Sequence, residues 1–158
     1  FVGELAFQTT PINEGVINVE MAMNPQGNTM LVWSTKGQIL SRKYSLGLTG
    51  EALPSPEQRA GDAIWPQVAM DGRGNAIAVW AQQNNAGTRW DVWTSRYTPA
   101  KGWGPQELIE NVDSVNIAGG IAPQLAMDPS GTAVAVWRDY YDIPNSNWAW
   151  GLLANHFR

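Results

Sequence analysis

The stretch PQVAMDGRGNAIAVW, Pro66 to Trp80, recurs from Pro123 to Trp137 as PQLAMDPSGTAVAVW, with ten of fifteen positions identical. A fainter copy, VEMAMNPQGNTMLVW, runs from Val19 to Trp33. Met23, Met70 and Met127 are separated by 47 and 57 residues, and Trp33, Trp80 and Trp137 keep the same separations. That period is the length of one propeller blade. Each copy reads as a short apolar segment, a Gly turn (NPQGN, DGRGN or DPSGT) and a second apolar run (TMLVW, AIAVW or AVAVW), the pattern of an antiparallel strand pair.

A third strand aligns as QILSRKY (Gln38 to Tyr44), DVWTSRY (Asp91 to Tyr97) and GLLANHF (Gly151 to Phe157). A fourth follows as LTGEALP (Leu48 to Pro54) and GWGPQELI (Gly102 to Ile109), and the third copy stops before it. FVGELAFQ (Phe1 to Gln8) looks like GWGPQELI and supplies the strand missing from the other end. The expected organisation is therefore permuted: residues 1–8 as a closing strand, 17–54 and 64–109 as blades, and 121–158 as an incomplete blade. The fold class is all-β, a β-propeller of four-stranded antiparallel blades with about three blades per chain.

Apolar residues at successive positions of the second strand, Ile77 and Val79 against Ala78 and Trp80, predict a sheet covered on both faces. Nine Trp, sixteen Gly and ten Pro suit many short strands joined by turns. At 158 residues the chain is long enough for one domain with a real core, burying roughly 70% of its extended surface. Charged residues make up only 15%, the net charge is −4, and the ten Lys and Arg form no stripe, which argues against a nucleic-acid partner. No apolar run approaches the length of a membrane-spanning helix, so membrane insertion is not expected. Cysteine is absent, which removes disulfides, Cys-ligated zinc and thiol catalysis. The chain opens on Phe1 rather than Met, so the expectation is a removed upstream segment, such as a secretion signal.

PQVAMDGRGNAIAVW, DVWTSRYTPAKGWGPQELIE and their partners resemble the tandem blade repeats of bacterial extracellular β-propeller proteins, lectin-like or sialidase-like. The resemblance covers nearly the whole chain and implies architecture rather than activity, since propellers host lectins, hydrolases and scaffolds alike. It also implies a location outside the cell or on its surface.

Three blades are fewer than the four to eight of a usual ring. The favoured expectation is a homodimer of six blades closed head to tail, with Phe1 to Gln8 of each copy completing the last blade of the other. The competing one is a fragment of a longer array.

Asp71 and Asp128, with Asn24 in the first copy, invite a calcium reading, but each turn offers a single carboxylate where calcium takes six or more oxygens. A turn role explains them better: the side chain caps the turn and Gly27, Gly74 and Gly131 take the left-handed position. Trp33, Trp80 and Trp137 read as blade-to-blade packing before sugar stacking. Lys43, Arg96 and His156, each preceding the last aromatic of its strand, either ring a shared face or lay their stems on aromatics.

The copies differ most between the second and third strands, where STKG, AQQNNAGTRW and RDYYDIPNSNWAW stand at equivalent places. Function on repeat folds usually sits in such unequal loops. Arg138, Asp139, Tyr140, Tyr141, Asp142, Asn145, Asn147 and Trp148 offer flat apolar faces and hydrogen-bonding groups, and Trp90 and Trp150 share their role. That mixture suits a glycan or a surface protein as partner; the plainer alternative is that the aromatics cover the next joint. No Ser/His/Asp constellation, phosphate loop or metal-binding His pair is present, and nothing calls for a cofactor or a metal. The reading is a non-catalytic recognition module. Its alternatives are an assembly repeat that works by strand complementation and a piece of a larger propeller glycoside hydrolase.

Overall fold

The computed structural model describes residues 15–44, 50–53, 62–84, 86–110, 122–141 and 149–158. The closing strand expected at residues 1–8 lies outside them. All regular structure among the described residues is strand, arranged in three antiparallel sheets.

The first sheet is a meander of β1 (Ile17–Met23), β2 (Thr29–Thr35), β3 (Gln38–Tyr44) and β4 (Gly50–Leu53). The second runs through β5 (Ala63–Met70), β6 (Ala76–Gln83), β7 (Trp90–Thr98) and β8 (Gly102–Trp103), with β9 (Glu107–Leu108) also on β7. The third holds β10 (Gln124–Met127), β11 (Ala133–Tyr141) and β12 (Ala149–Phe157). β5 packs against β1 on one side and β10 on the other, so the opening strands of the three sheets converge.

The fourth strand expected over Gly102 to Ile109 is broken in two. Trp103 pairs with Tyr97 and Leu108 with Trp93, and the register slips by one residue between these pairs. Pro105 lies in the gap, where a missing N–H cannot extend the ladder. A second irregularity repeats at equivalent places of β1 and β5, between Ile17 and Glu20 and between Ile64 and Gln67. Asn18 and Trp65 there adopt φ of 53° and 51°. Trp65 holds this strained conformation with its ring 6.2 Å from that of Trp90.

The central sheet is covered on both faces, as the unbroken apolar run of β6 predicts. Ala76, Ala78, Trp80, Trp93 and Tyr97 meet Met30, Val32 and Ile39 of the first sheet. On the opposite face Ile77, Val79, Ala81 and Val92 meet Ala133, Ala135, Trp137 and Phe157 of the third. Each joint thus sets the Trp and small residues of one sheet against the branched residues of the sheet before it. Trp80 and Trp137 are fully or nearly fully enclosed.

Polar groups tie the same joints. Trp103 Nε1 donates to Ser41 Oγ at 2.8 Å, and Asn155 Nδ2 donates to the Ile109 carbonyl at 3.2 Å. Lys43 Nζ stands 5.7 Å from the centre of the Tyr97 ring, and the Arg96 guanidinium 5.4 Å from that of Phe157. The basic series therefore reaches onto the aromatic of the following sheet.

Candidate functional site

The two ends of the sheets differ in kind. At one end lie the repeated turns, whose side chains serve the backbone. Asp71 Oδ1 accepts from the Arg73 and Asn75 amides at 2.8 and 2.9 Å, and Asp128 Oδ1 from those of Ser130 and Thr132 at 2.9 Å each. Asn24 Oδ1 does the same for Gln26 and Asn28 at 3.1 and 3.0 Å. The Ser130 hydroxyl, followed by the Thr132 amide, holds the Asp128 carboxyl below its ordinary range. Gly27, Gly74 and Gly131 take φ of 78°, 84° and 99°, the left-handed position the turn requires. Among the described residues no group of three or more His, Cys, Asp or Glu is placed to hold a metal ion.

The opposite end carries the unequal loops. After β6, Asn84 closes a short loop on itself: its Oδ1 accepts from the Thr88 and Arg89 amides at 3.0 and 3.3 Å, and its own amide donates to the Arg89 carbonyl at 2.8 Å. This loop walls a cleft of about 440 Å³ lined by Gln82, Gln83, Asn84, Ala86, Arg89, Asp91, Trp93 and Leu108. Arg89 Nε lies 2.7 Å from Asp91 Oδ1 at its edge. Gln82 is held from below, its Oε1 accepting from Trp80 Nε1 at 3.0 Å. Gln83, Asn84 and Arg89 are the more exposed groups at this opening, while Gln82, Asp91 and the core residue Trp93 form its floor at 1%, 5% and 8% exposure, a set of donors and acceptors that matches hydroxyl-rich ligands.

Behind the cleft, on the side of the third sheet, lies an acidic cluster. Glu110 follows β9 and its Oε2 accepts from the Val92 amide at 3.1 Å. Burial pushes its carboxyl up to about 8, and the charge of Asp139 pushes in the same direction, against the Val92 amide. Asp139 and Glu110 are 1% and 7% exposed, so both lie inside the joint rather than on an open surface.

The expected site residues separate. Arg138 and Asp139 alternate on β11, Arg138 to the exposed face and Asp139 into the joint. Tyr140 and Trp150 are cross-strand partners in the β11–β12 ladder, and Tyr141 pairs with Ala149. Asp142, Asn145, Asn147 and Trp148 lie outside the described residues. Trp90 is 8% exposed and belongs to the apolar cluster between the second and third sheets.

No family model matches the chain, and no curated protein matches it by sequence. Among solved structures it is similar to the endo-arabinase from Bacteroides thetaiotaomicron VPI-5482, with a TM-score of 0.57 and 13% identity over 94% of this chain. The likeness is one of fold. It supports the propeller-like, all-β arrangement, and the chain spans 58% of the length of that enzyme.

Sequence reasoning missed Gln82, Arg89, Asp91 and Glu110. Arg89 and Asp91 flank Trp90 in RWDVW, and strand alternation alone sends both to the face opposite Trp90. Glu110 stands in the linker IENVD, and its neighbour Asp139 comes from the next repeat, so no local spacing joins them.

Proposed function

We propose that this chain is a carbohydrate-directed recognition module built on a propeller scaffold, secreted or displayed at the cell surface, and that it binds without turnover. The observation that carries this reading is the cleft at the loop end, where Gln82, Gln83 and Asn84 stand beside the Arg89–Asp91 pair and the Trp93 indole. Sugars present hydroxyls in bidentate array and a flat C–H face, and amides, carboxylate–guanidinium pairs and indoles complement both. The endo-arabinase among its structural neighbours is an enzyme, so it favours the hydrolase alternative over this reading. The test is a glycan array followed by titration of the retained glycans. Binding weakens about tenfold or more in Asp91→Asn and Arg89→Ala if the cleft is the site. Loss in Tyr140→Ala or Trp148→Ala with the cleft variants unchanged moves the site to the third repeat. An array without a retained glycan removes the reading.

A second reading, a piece of a larger propeller glycoside hydrolase, draws on Glu110. A carboxyl protonated at neutral pH beside a second carboxylate is the arrangement a glycosidase uses for acid and base. Glu110 and Asp139 are 7% and 1% exposed, about as enclosed as Asp91 at the floor of the cleft, so burial shuts a substrate away from them no more than from Asp91 itself. Release of reducing ends from a panel of polysaccharides, abolished by Glu110→Gln, establishes the hydrolase; intact polysaccharides leave the binding module.

A further inference from the structure

The repeats allow each surface position to be compared with its equivalent inside the same chain. On the face that looks toward the following sheet, Ile77 and Val92 of the second sheet are 3% and 0% exposed, because the third sheet covers them. Their equivalents in the third sheet, Val134 and Leu152, are 41% and 74% exposed. On the face that looks toward the preceding sheet, Met70 is 9% exposed beneath the first sheet, while its equivalent Met23 is 61% exposed, as is Met21 beside it. Among the described residues the first and third sheets therefore present two apolar faces of opposite kind. Each is the repeat counterpart of a face already buried against the kind that the other presents.

The cation–ring contacts mark the same polarity. Lys43 reaches Tyr97 and Arg96 reaches Phe157, each one sheet forward. His156 is the next member of the series and shares its face of the third sheet with Val134 and Leu152. Tyr44 is the ring at the equivalent place of the first sheet.

We propose that a second copy of this chain supplies the missing neighbour: the Val134–Leu152–His156 face of one copy seats on the Met21–Met23 face of the other. Two such head-to-tail joints close the pair under a two-fold axis and set six sheets around one ring, within the range that propellers occupy. At each joint His156 comes to Tyr44 of the second copy as Arg96 comes to Phe157.

The solution mass of the 158-residue chain, read by light scattering at micromolar concentration, tests this with three proteins. The wild type is expected at twice the chain mass. Leu152→Asp and Met23→Asp, both at exposed positions, are expected at the monomer mass with unchanged circular dichroism. Mixed in equal amounts, the two variants are expected to recover a dimer, because the intact face of each meets the intact face of the other at one of the two joints. A monomeric wild type overturns the proposal and leaves further repeats of a longer chain as the occupant. A series of larger masses overturns the closed pair. A mixture that stays monomeric, or single variants that still dimerise, overturns the pairing of these two faces.

Discussion

Glu110 sits where two sheets meet, and its carboxyl is raised from 4.5 to about 8 first by burial and then by the charge of Asp139. Between those two values the folded chain holds a proton that the unfolded chain has released, so stability falls as pH rises across that window. Water at the edge of the joint screens the effect, leaving on the order of 1–2 kcal/mol rather than the full value of the shift. Thermal stability is therefore expected to fall between pH 5 and pH 8 in the wild type and to stay flat over that range in Glu110→Gln, which keeps an acceptor for the Val92 amide. A pH profile of the same slope in both proteins counts against a protonated Glu110.

The carboxylate of the third-repeat turn, Asp128, acts oppositely. Asp128 contributes stability above its unfolded value, and that contribution is lost as acid carries the pH down through its lowered folded value. Asp71 and Asp128 each accept three hydrogen bonds, but Asp71 is 3% exposed, so the donors it leaves behind are shut off from water while those of the exposed Asp128 are not. Asp71→Ala is expected to cost about 1–2 kcal/mol in denaturant unfolding and Asp128→Ala less. Equal costs would place the worth of the turn in its backbone alone.

Among the elements, the β2–β3 hairpin bears most directly on a joint. Lys36 and Gly37, with φ of 47° and 74°, form its two-residue turn, and the Gly37 carbonyl accepts from the Ala63 amide of the next sheet at 2.9 Å. A Cβ on Gly37 would run into the Asp62 side chain and stand 3.2 Å from the Asp62 Cα, whereas one on Gly87, also at positive φ, meets nothing. Gly37→Ala is expected to destabilise by about 1 kcal/mol more than Gly87→Ala, since only the first adds a collision to the backbone strain. The two are read side by side in urea. The strands themselves were largely legible: Gln38 to Tyr44 is a strand over its expected length, and the unbroken apolar run from Ile77 to Trp80 announced a sheet covered on both faces. The broken fourth strand was not legible, because Pro105 forbids one ladder bond without saying that Glu107 rejoins the same neighbour. Nor was the Glu110–Asp139 encounter, which depends on how two sheets face each other rather than on the pattern within either.

At the scale of the whole molecule, one joint is made twice among the described sheets and offered a third time by the outer faces of the first and third. If these faces close on a second copy, folding and association become one equilibrium, and unfolding temperature depends on protein concentration. For a chain of this size each tenfold dilution is expected to lower the midpoint by roughly 2 °C in the wild type. Leu152→Asp, which exposes no new surface in the single chain, is expected to unfold at one temperature whatever its concentration. Its midpoint should meet the wild-type curve at the dilute end, because the internal joints around Trp80 and Trp137 are the same in both proteins. A Leu152→Asp midpoint far below that limit would mean that Leu152 stabilises its own sheet, and a wild-type midpoint that ignores dilution would mean that the third joint adds nothing to stability.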